Sequence, residues 1–230
     1  MNKPIIMFDM DGTLLDLAFD DLIWNHKLPE RHAKTHQISL EQSNQILFKF
    51  YQDHKHTLDW YSTRFWTAKV GVDTFQLQHD HKEFIKPRQG CIALLSSLKQ
   101  AGYRIWLVTN ADERGLALKM NQVDLSSYFE VMISSETIGF AKERFEFWDQ
   151  LQHMHPFEPR HCVLVDDTAV VLEGAKSFGI EHLITITQPS SSQPERERSK
   201  LQYPAINDLR SLIPYLDQIN HEKEMNVKTA

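Results

Sequence analysis

Four places in the sequence carry side chains that could do chemistry together. They are the acids of Asp9-Met10-Asp11-Gly12-Thr13, the dipeptide Thr109-Asn110, Lys142, and the adjacent pair Asp166-Asp167. A carboxylate can attack phosphorus and form an acyl phosphate. It needs cationic help against the approaching dianion. Lys142 can neutralise phosphoryl oxygens. Thr109, with Asn110 beside it, can hold the phosphate together with backbone N–H groups around Asp11-Gly12. Asp11, two residues beyond Asp9, can protonate the leaving oxygen and later activate water.

Three or four carboxylates packed together repel one another. A divalent cation resolves this. An all-oxygen ligand set with room for water favours Mg²⁺ over zinc. No histidine joins these motifs. His54/His56, His79/His81 and His153/His155 are spaced i, i+2, which does not place both rings on one helix face, so a second metal site is not expected. Taken singly, each residue has an ordinary explanation: a turn or N-cap aspartate, a capping threonine, a surface lysine. The four together, in this order, point to a site.

The elements that must position them follow from the apolar pattern. Ile5–Phe8, Ile105–Val108, Val131–Ile133 and Cys162–Val165 are short continuous apolar runs, and Leu183–Ile186 is a weaker one. Such runs suit strands buried on both faces of a parallel sheet. Amphipathic segments lie between them. Cys91, Leu94, Leu95 and Leu98 repeat at helical spacing, as do Val171, Gly174, Ala175 and Phe178, and Phe147, Leu151 and Met154. Alternation of this kind implies βαβ units with helices on both faces. Asp9, Thr109-Asn110 and Asp166-Asp167 each end an apolar run, so they should meet at the carboxyl edge of the sheet, where open α/β folds bind ligands.

Residues 16–86 break the alternation. Helical patterns replace strands there: Leu15, Phe19, Leu22, His26; Leu40, Leu47, Tyr51, His54; Leu58, Tyr61, Phe65, Ala68. Pro29 and Gly71 read as boundaries. The expectation is a small aromatic-rich helical bundle inserted after the first strand, on a three-layer α/β core formed by residues 1–15 and 87–217. Glu195–Lys200 reads as a solvated surface segment and Ile206–Leu216 as a last helix. Residues 218–230 read as a polar tail.

The bulk numbers narrow the class. The chain has 230 residues, 41% hydrophobic and 24% charged, with a formal charge of −6. That balance argues against a general partner among nucleic acids or anionic membranes. Cys91 and Cys162 stand in apolar runs far apart and read as buried thiols of a reduced compartment. No run approaches a membrane span or a secretory leader. A cytoplasmic monomer or small homo-oligomer is expected.

The motif Asp9-Met10-Asp11-Gly12-Thr13, with Leu107-Val108-Thr109-Asn110, Lys142 and Val165-Asp166-Asp167-Thr168, resembles the haloacid dehalogenase superfamily. The resemblance implies a Rossmann-like core and a helical cap. It implies Asp9 as nucleophile, Asp11 as acid/base, and Thr109 and Lys142 as phosphate binders. Mg²⁺ would be held by Asp9, the Asp11 carbonyl and Asp167, with Asp166 supporting, or with the last two exchanged. The second aspartate, Asp11, points to phosphoryl transfer rather than dehalogenation.

A narrower resemblance is to the bacterial GMP/IMP 5′-nucleotidase branch. It rests on Asp9 to Asp20, on His56-Thr57-Leu58 with Trp60-Tyr61, and on Thr137-Ile138-Gly139-Phe140 before Lys142. Ala141 departs from the pattern, where a proline often precedes the lysine. The substrate implied is a purine nucleoside monophosphate. Phosphoglycolate, a sugar phosphate, a β-phosphoglucomutase reaction and a non-enzymatic phosphate- or nucleotide-sensing module are the other readings. The core cannot choose among esters that share a phosphate, so the cap must. By residue type, Asp16, Phe19, His56, Trp60 and Tyr61 are its candidates, although ordinary packing within the bundle is the expected role of each taken singly.

Overall fold

The computed structural model describes residues 3–219. Six parallel strands form one sheet: β1 (Ile5–Phe8), β2 (Arg104–Thr109), β3 (Val131–Ser134), β4 (Cys162–Val165), β5 (His182–Ile186) and β6 (Ala205–Ile206), in the order β3-β2-β1-β4-β5-β6. The five apolar runs are all strands. Alternate side chains of each go to opposite faces, as the two-residue strand period requires. Ile6, Phe8, Ile105, Leu107, Val163 and Val165 face one apolar layer, and Ile5, Met7, Trp106, Val108, Cys162 and Leu164 face the other.

The helices supply the outer layers. Between β1 and β2 lie α1 (Ala18–Leu22), a π-helical turn (Ile23–Lys27), α2 (Leu28–His36), α3 (Leu40–His54), α4 (Thr63–Val70), α5 (Thr74–Asp80) and α6 (Cys91–Gln100). After β2 come α7 (Glu113–Val123), α8 (Ser135–Ile138), α9 (Phe145–Met154) and α10 (Ala169–Phe178). Helices α9 and α10 cover one face of the sheet through Phe147, Trp148, Leu151, Val171 and Leu172. Helix α6, part of α7 and a final helix over 212–219 cover the other. Cys91 and Cys162 are both buried and are not joined by a disulfide. Among the described residues no helix is long and apolar enough to cross a membrane.

Several expectations need correcting. Pro29 does not end a helix. The chain stays helical from α1 through the π turn into α2, where Pro29 occupies the first turn; its missing N–H is tolerated there, and the widened turn precedes it. Gly71 does end one, at φ 68° after α4. Leu58–Ala68 is not one helix, because Ser62 restarts the chain as the N-cap of α4 by accepting from the Phe65 N–H. Not every aromatic of the stretch is drawn into its core: Phe48 is 64% exposed. Ala205–Ile206 is a strand at the sheet edge, so the last helix starts later than Ile206 and runs past Leu216 to a buried Ile219. The rest of the expected tail, 220–230, lies outside the described residues.

The helical stretch leaves and rejoins the sheet at one crossing. The Asp16 N–H donates to the Lys86 carbonyl at 2.9 Å and the Arg88 N–H to the Leu14 carbonyl at 2.8 Å. Its aromatics pack edge to face: Trp66 meets Trp24, Tyr51, Trp60 and Phe65 with ring centroids 5.2–6.0 Å apart.

Candidate active site

The two central strands end side by side. The Asp9 N–H donates to the Val165 carbonyl at 3.0 Å, and the Asp166 N–H to the Ile184 carbonyl at 3.1 Å. These bonds extend the parallel register by one residue, so both carboxylates emerge from the same edge. Beyond Asp9 the chain turns tightly: the Gly12 N–H donates to the Leu15 carbonyl, and the N–H groups of Leu14 and Leu15 return to the Met10 carbonyl. Gly12 has φ 81°, and a Cβ there would lie 2.8 Å from the Asp167 carboxyl carbon. Both features demand glycine. Gly12→Ala is expected to lower stability by about 1–3 kcal/mol and to weaken thermal stabilisation by divalent cations. Unfolding with and without the cation checks this, and an unchanged midpoint would refute the close approach.

Asp9, Asp166 and Asp167 offer one oxygen each within 4.8 Å of one another, and all three are buried. Lys142, 1% exposed, joins the cluster. Its ammonium donates to Asp9 Oδ1 at 2.6 Å, Asp166 Oδ2 at 2.7 Å and the Val108 carbonyl at 2.9 Å. Burial pushes the Asp9 carboxyl up to about 6, against the pull of the Lys142 ammonium. Burial raises Asp166 and Asp167 as well. For Lys142 burial works downward, but the Asp166 and Asp9 charges outweigh it and hold the ammonium protonated. Even with the Arg196 guanidinium 3.4 Å from Asp167, two cations do not balance three carboxylates. An excess of buried negative charge in an oxygen-only donor set fits a hard divalent cation.

The two acids after β4 are placed differently. Asp166 has both oxygens engaged, one by Lys142 and one by the Thr168 N–H at 2.9 Å. Asp167 lies against the Gly12 turn. It is touched more loosely, by the Thr168 hydroxyl at 3.3 Å and by Arg196 Nη2 at 3.4 Å.

Asp11 turns away from the three. Its Oδ1 is 2.7 Å from the Lys119 ammonium, which also donates to both oxygens of Asp20 in α1 at 2.9 Å. Burial raises Asp11, and Lys119 opposes it. Thr109 closes β2 with a buried hydroxyl that accepts from the Ala111 N–H. The Asn110 amide spans the next gap: its Oδ1 accepts from the Lys142 N–H at 2.9 Å and its Nδ2 donates to Glu143 Oε2 at 3.0 Å.

The five cap candidates divide. His56 and Tyr61 reach the site and meet Glu143, with His56 Nδ1 at 3.3 Å and the Tyr61 hydroxyl at 2.5 Å from Oε1. Asp16 is tied locally: its Oδ1 accepts from the N–H groups of Ala18 and Ser191, both at 2.9 Å. Burial works upward on its carboxyl, but these bonds hold it below the usual range. Phe19 is 2% exposed in the apolar core. Trp60 packs edge to face against Tyr51 and Trp66, and its carbonyl accepts from the Trp66 indole N–H.

Sequence reasoning missed six residues around the site. Lys119 is 3% exposed between buried Leu118 and Met120, and a lysine on that stretch of helix was the available signal. Asp20 was read only as part of a motif. Asp112 caps α7 through the Gly115 N–H and also accepts from the N–H of Thr63 at 2.6 Å and from its hydroxyl, binding the start of α4. Its position before a helix was a legible capping signal. Glu143 adjoins Lys142. Arg196 stands in the solvated segment as expected, yet its Nη1 donates to the Asp167 carbonyl at 2.6 Å. Arg88 donates to the carbonyls of Thr13, Gln188 and Asn207, fixing the back of the motif turn.

The strand order, the Gly12 turn and the lysine-bridged acids together define a recognisable class. The profile of haloacid dehalogenase-like hydrolases matches residues 4–179, and the chain belongs to that family. It is therefore an enzyme, and the sensing-module reading is set aside. The GMP/IMP nucleotidase YrfG of Escherichia coli is 30% identical over 211 residues, covering 92% of this chain and 94% of that protein. A phosphoglycolate phosphatase of Pseudomonas syringae pv. tomato is 24% identical, covering 91% and 78%. Among solved structures, a HAD phosphatase from Thermococcus onnurineus superposes with a TM-score of 0.77 at 21% identity, covering 94% and 98%.

Proposed function

We propose that the protein is a Mg²⁺-dependent phosphomonoesterase that forms an acyl phosphate on Asp9, and that GMP and IMP are its substrates. The observation that carries the chemistry is the convergence of Asp9, Asp166 and Asp167 on one buried edge with Lys142 between them. The purine reading is supported by the YrfG relative, whose likeness extends over nearly the whole chain.

In this reading Lys142 fixes the Asp9 carboxylate and faces the incoming phosphoryl oxygens. Asp9 attacks phosphorus as the bond to the ester oxygen breaks. Asp11, protonated at the outset, gives its proton to the leaving alkoxide, which departs as the nucleoside. A water then loses a proton to the Asp11 carboxylate and attacks phosphorus. The Asp9–phosphorus bond breaks, and inorganic phosphate leaves with the aspartate restored. The rise that burial gives Asp11 suits the first half, and the Lys119 ammonium holds the carboxylate in the second.

Asp9, the Asp11 carbonyl and Asp167 would hold the cation, which supplies charge neutralisation for the phosphoryl group. Asp167 is favoured over Asp166 because both Asp166 oxygens are already committed. Residues 16–86 would act as the cap, with His56 and Tyr61 meeting Glu143, the residue after Lys142.

A phosphate-release screen over purine and pyrimidine monophosphates, sugar phosphates and phosphoglycolate tests the reading. GMP and IMP are expected to be turned over fastest. Preference for phosphoglycolate or a sugar phosphate would overturn the substrate and leave the chemistry, and release from no ester would overturn both. Chelation by EDTA is expected to silence turnover and added Mg²⁺ to restore it; activity that survives chelation would remove the metal.

A further inference from the structure

Glu143 is a buried acid for which the steps above have no use. Its side chain is 5% exposed, and His56 Nδ1 lies 3.3 Å from its Oε1. Two of its three donors, the Tyr61 hydroxyl and His56 Nδ1, come from the helical stretch that precedes β2. The third is Asn110 Nδ2, at the end of β2. His56 reaches it from a left-handed backbone at φ 63°, a conformation an L-residue other than glycine seldom adopts without compensating contacts. The chain of bonds does not stop at Glu143. The Asn110 amide carries it on to the backbone N–H of Lys142, so a contact made by Tyr61 is relayed in two steps to the residue whose ammonium grips Asp9.

Purely structural packing would not need this route. A tyrosine hydroxyl at a cap–core seam can be left to water, whereas a carboxylate as enclosed as Glu143 needs donors around it. Here the obligatory acceptor belongs to the core and sits one residue from Lys142, and its donors belong to the stretch proposed to cover the substrate.

We infer that Glu143 is a positioning residue: residues 56–61 seat on it, and through Asn110 that seating sets the place of Lys142 relative to Asp9. The inference rests on the phosphatase reading above. It makes the geometry of phosphoryl transfer depend on the seating of the cap.

The test compares Glu143→Gln, Tyr61→Phe and the double variant with the wild type, on the ester the wild type turns over best. Both single variants are expected to lower kcat by about 10- to 100-fold with KM changed much less, because misplacement by a fraction of an ångström falls on the reacting centre. The double variant is expected to be no worse than Glu143→Gln alone, since the two share one path. Tyr61→Phe removes only a hydroxyl and serves should Glu143→Gln fold poorly, as judged by its unfolding midpoint. A folded Tyr61→Phe with kcat within twofold of wild type would overturn the inference, and so would multiplying losses in the double variant. A purely structural role would lower the unfolding midpoint and leave kcat unmoved well below it. With a wild type that turns over esters, these outcomes leave the phosphatase reading intact; a wild type inert toward every ester overturns both.

Discussion

Asp9→Asn is expected to lower turnover of every phosphomonoester by about 10⁴-fold or more, because an amide oxygen is a poor nucleophile and no neighbouring group can replace it. The fold should survive. Asparagine has nearly the same shape, and Lys142 keeps its bonds to Asp166 and to the Val108 carbonyl. Removing one of three mutually repelling buried carboxylates also relieves the folded state at neutral pH, where Asp9 carries its charge against a carboxyl raised to about 6. Phosphate release and thermal unfolding, measured on the same preparation, check the two halves. A folded variant with normal turnover would remove Asp9 from the reaction. The wild type, quenched in acid during turnover, should carry its phosphoryl group on the peptide that contains Asp9.

Lys142→Met should be the most damaging substitution for stability as well as turnover. Asp9 and Asp166 would be left buried without their ammonium, a loss of about 3–5 kcal/mol for an ion-pair partner so deeply enclosed. The pH dependence has a definite sign. Both carboxyls are raised by burial already, and loss of the lysine raises them further. Below their ordinary values near 4 both states are protonated, and the acids add no penalty. As pH rises the unfolded chain gives up its protons first, so the folded state is progressively disfavoured until its own carboxyls ionise, at about 6 or above. The gap between variant and wild type should therefore be widest at neutral pH and narrow toward pH 5. Denaturant titrations at the two pH values decide it. A gap independent of pH would mean that the lysine acts through packing alone.

How much of this could be read beforehand depends on where the information lies. Strands buried on both faces advertise themselves as continuous apolar runs, and an acid that follows such a run stands at the sheet edge by geometry alone. Asp9, Thr109, Asp166 and Asp167 were legible for that reason. Lys119, Arg196 and Glu143 were not, because each is defined by a partner far along the chain. Lys119 meets Asp20 across 99 residues and Glu143 meets Tyr61 across 82, and no local pattern encodes either pairing. Phe19 and Trp60 show the converse. Their residue types suit a purine face, yet aromatic rings in a small bundle are its main source of apolar area and are drawn into its core. The edge strand Ala205–Ile206 escaped notice because two residues carry no periodicity.

The single crossing at 14–16 and 86–88 bears on how such an enzyme can change over time. A stretch of about 70 residues that departs and returns through adjacent, hydrogen-bonded positions can be lengthened, reshaped or exchanged while the sheet keeps its register. Novelty in what is recognised is thereby uncoupled from the inherited reaction, except where the stretch is tied back to the core. A newcomer must still offer an acid to Lys119, a helix start to Asp112 and a hydroxyl to Glu143. A transplanted helical segment that keeps those ties is expected to leave the chemistry in place.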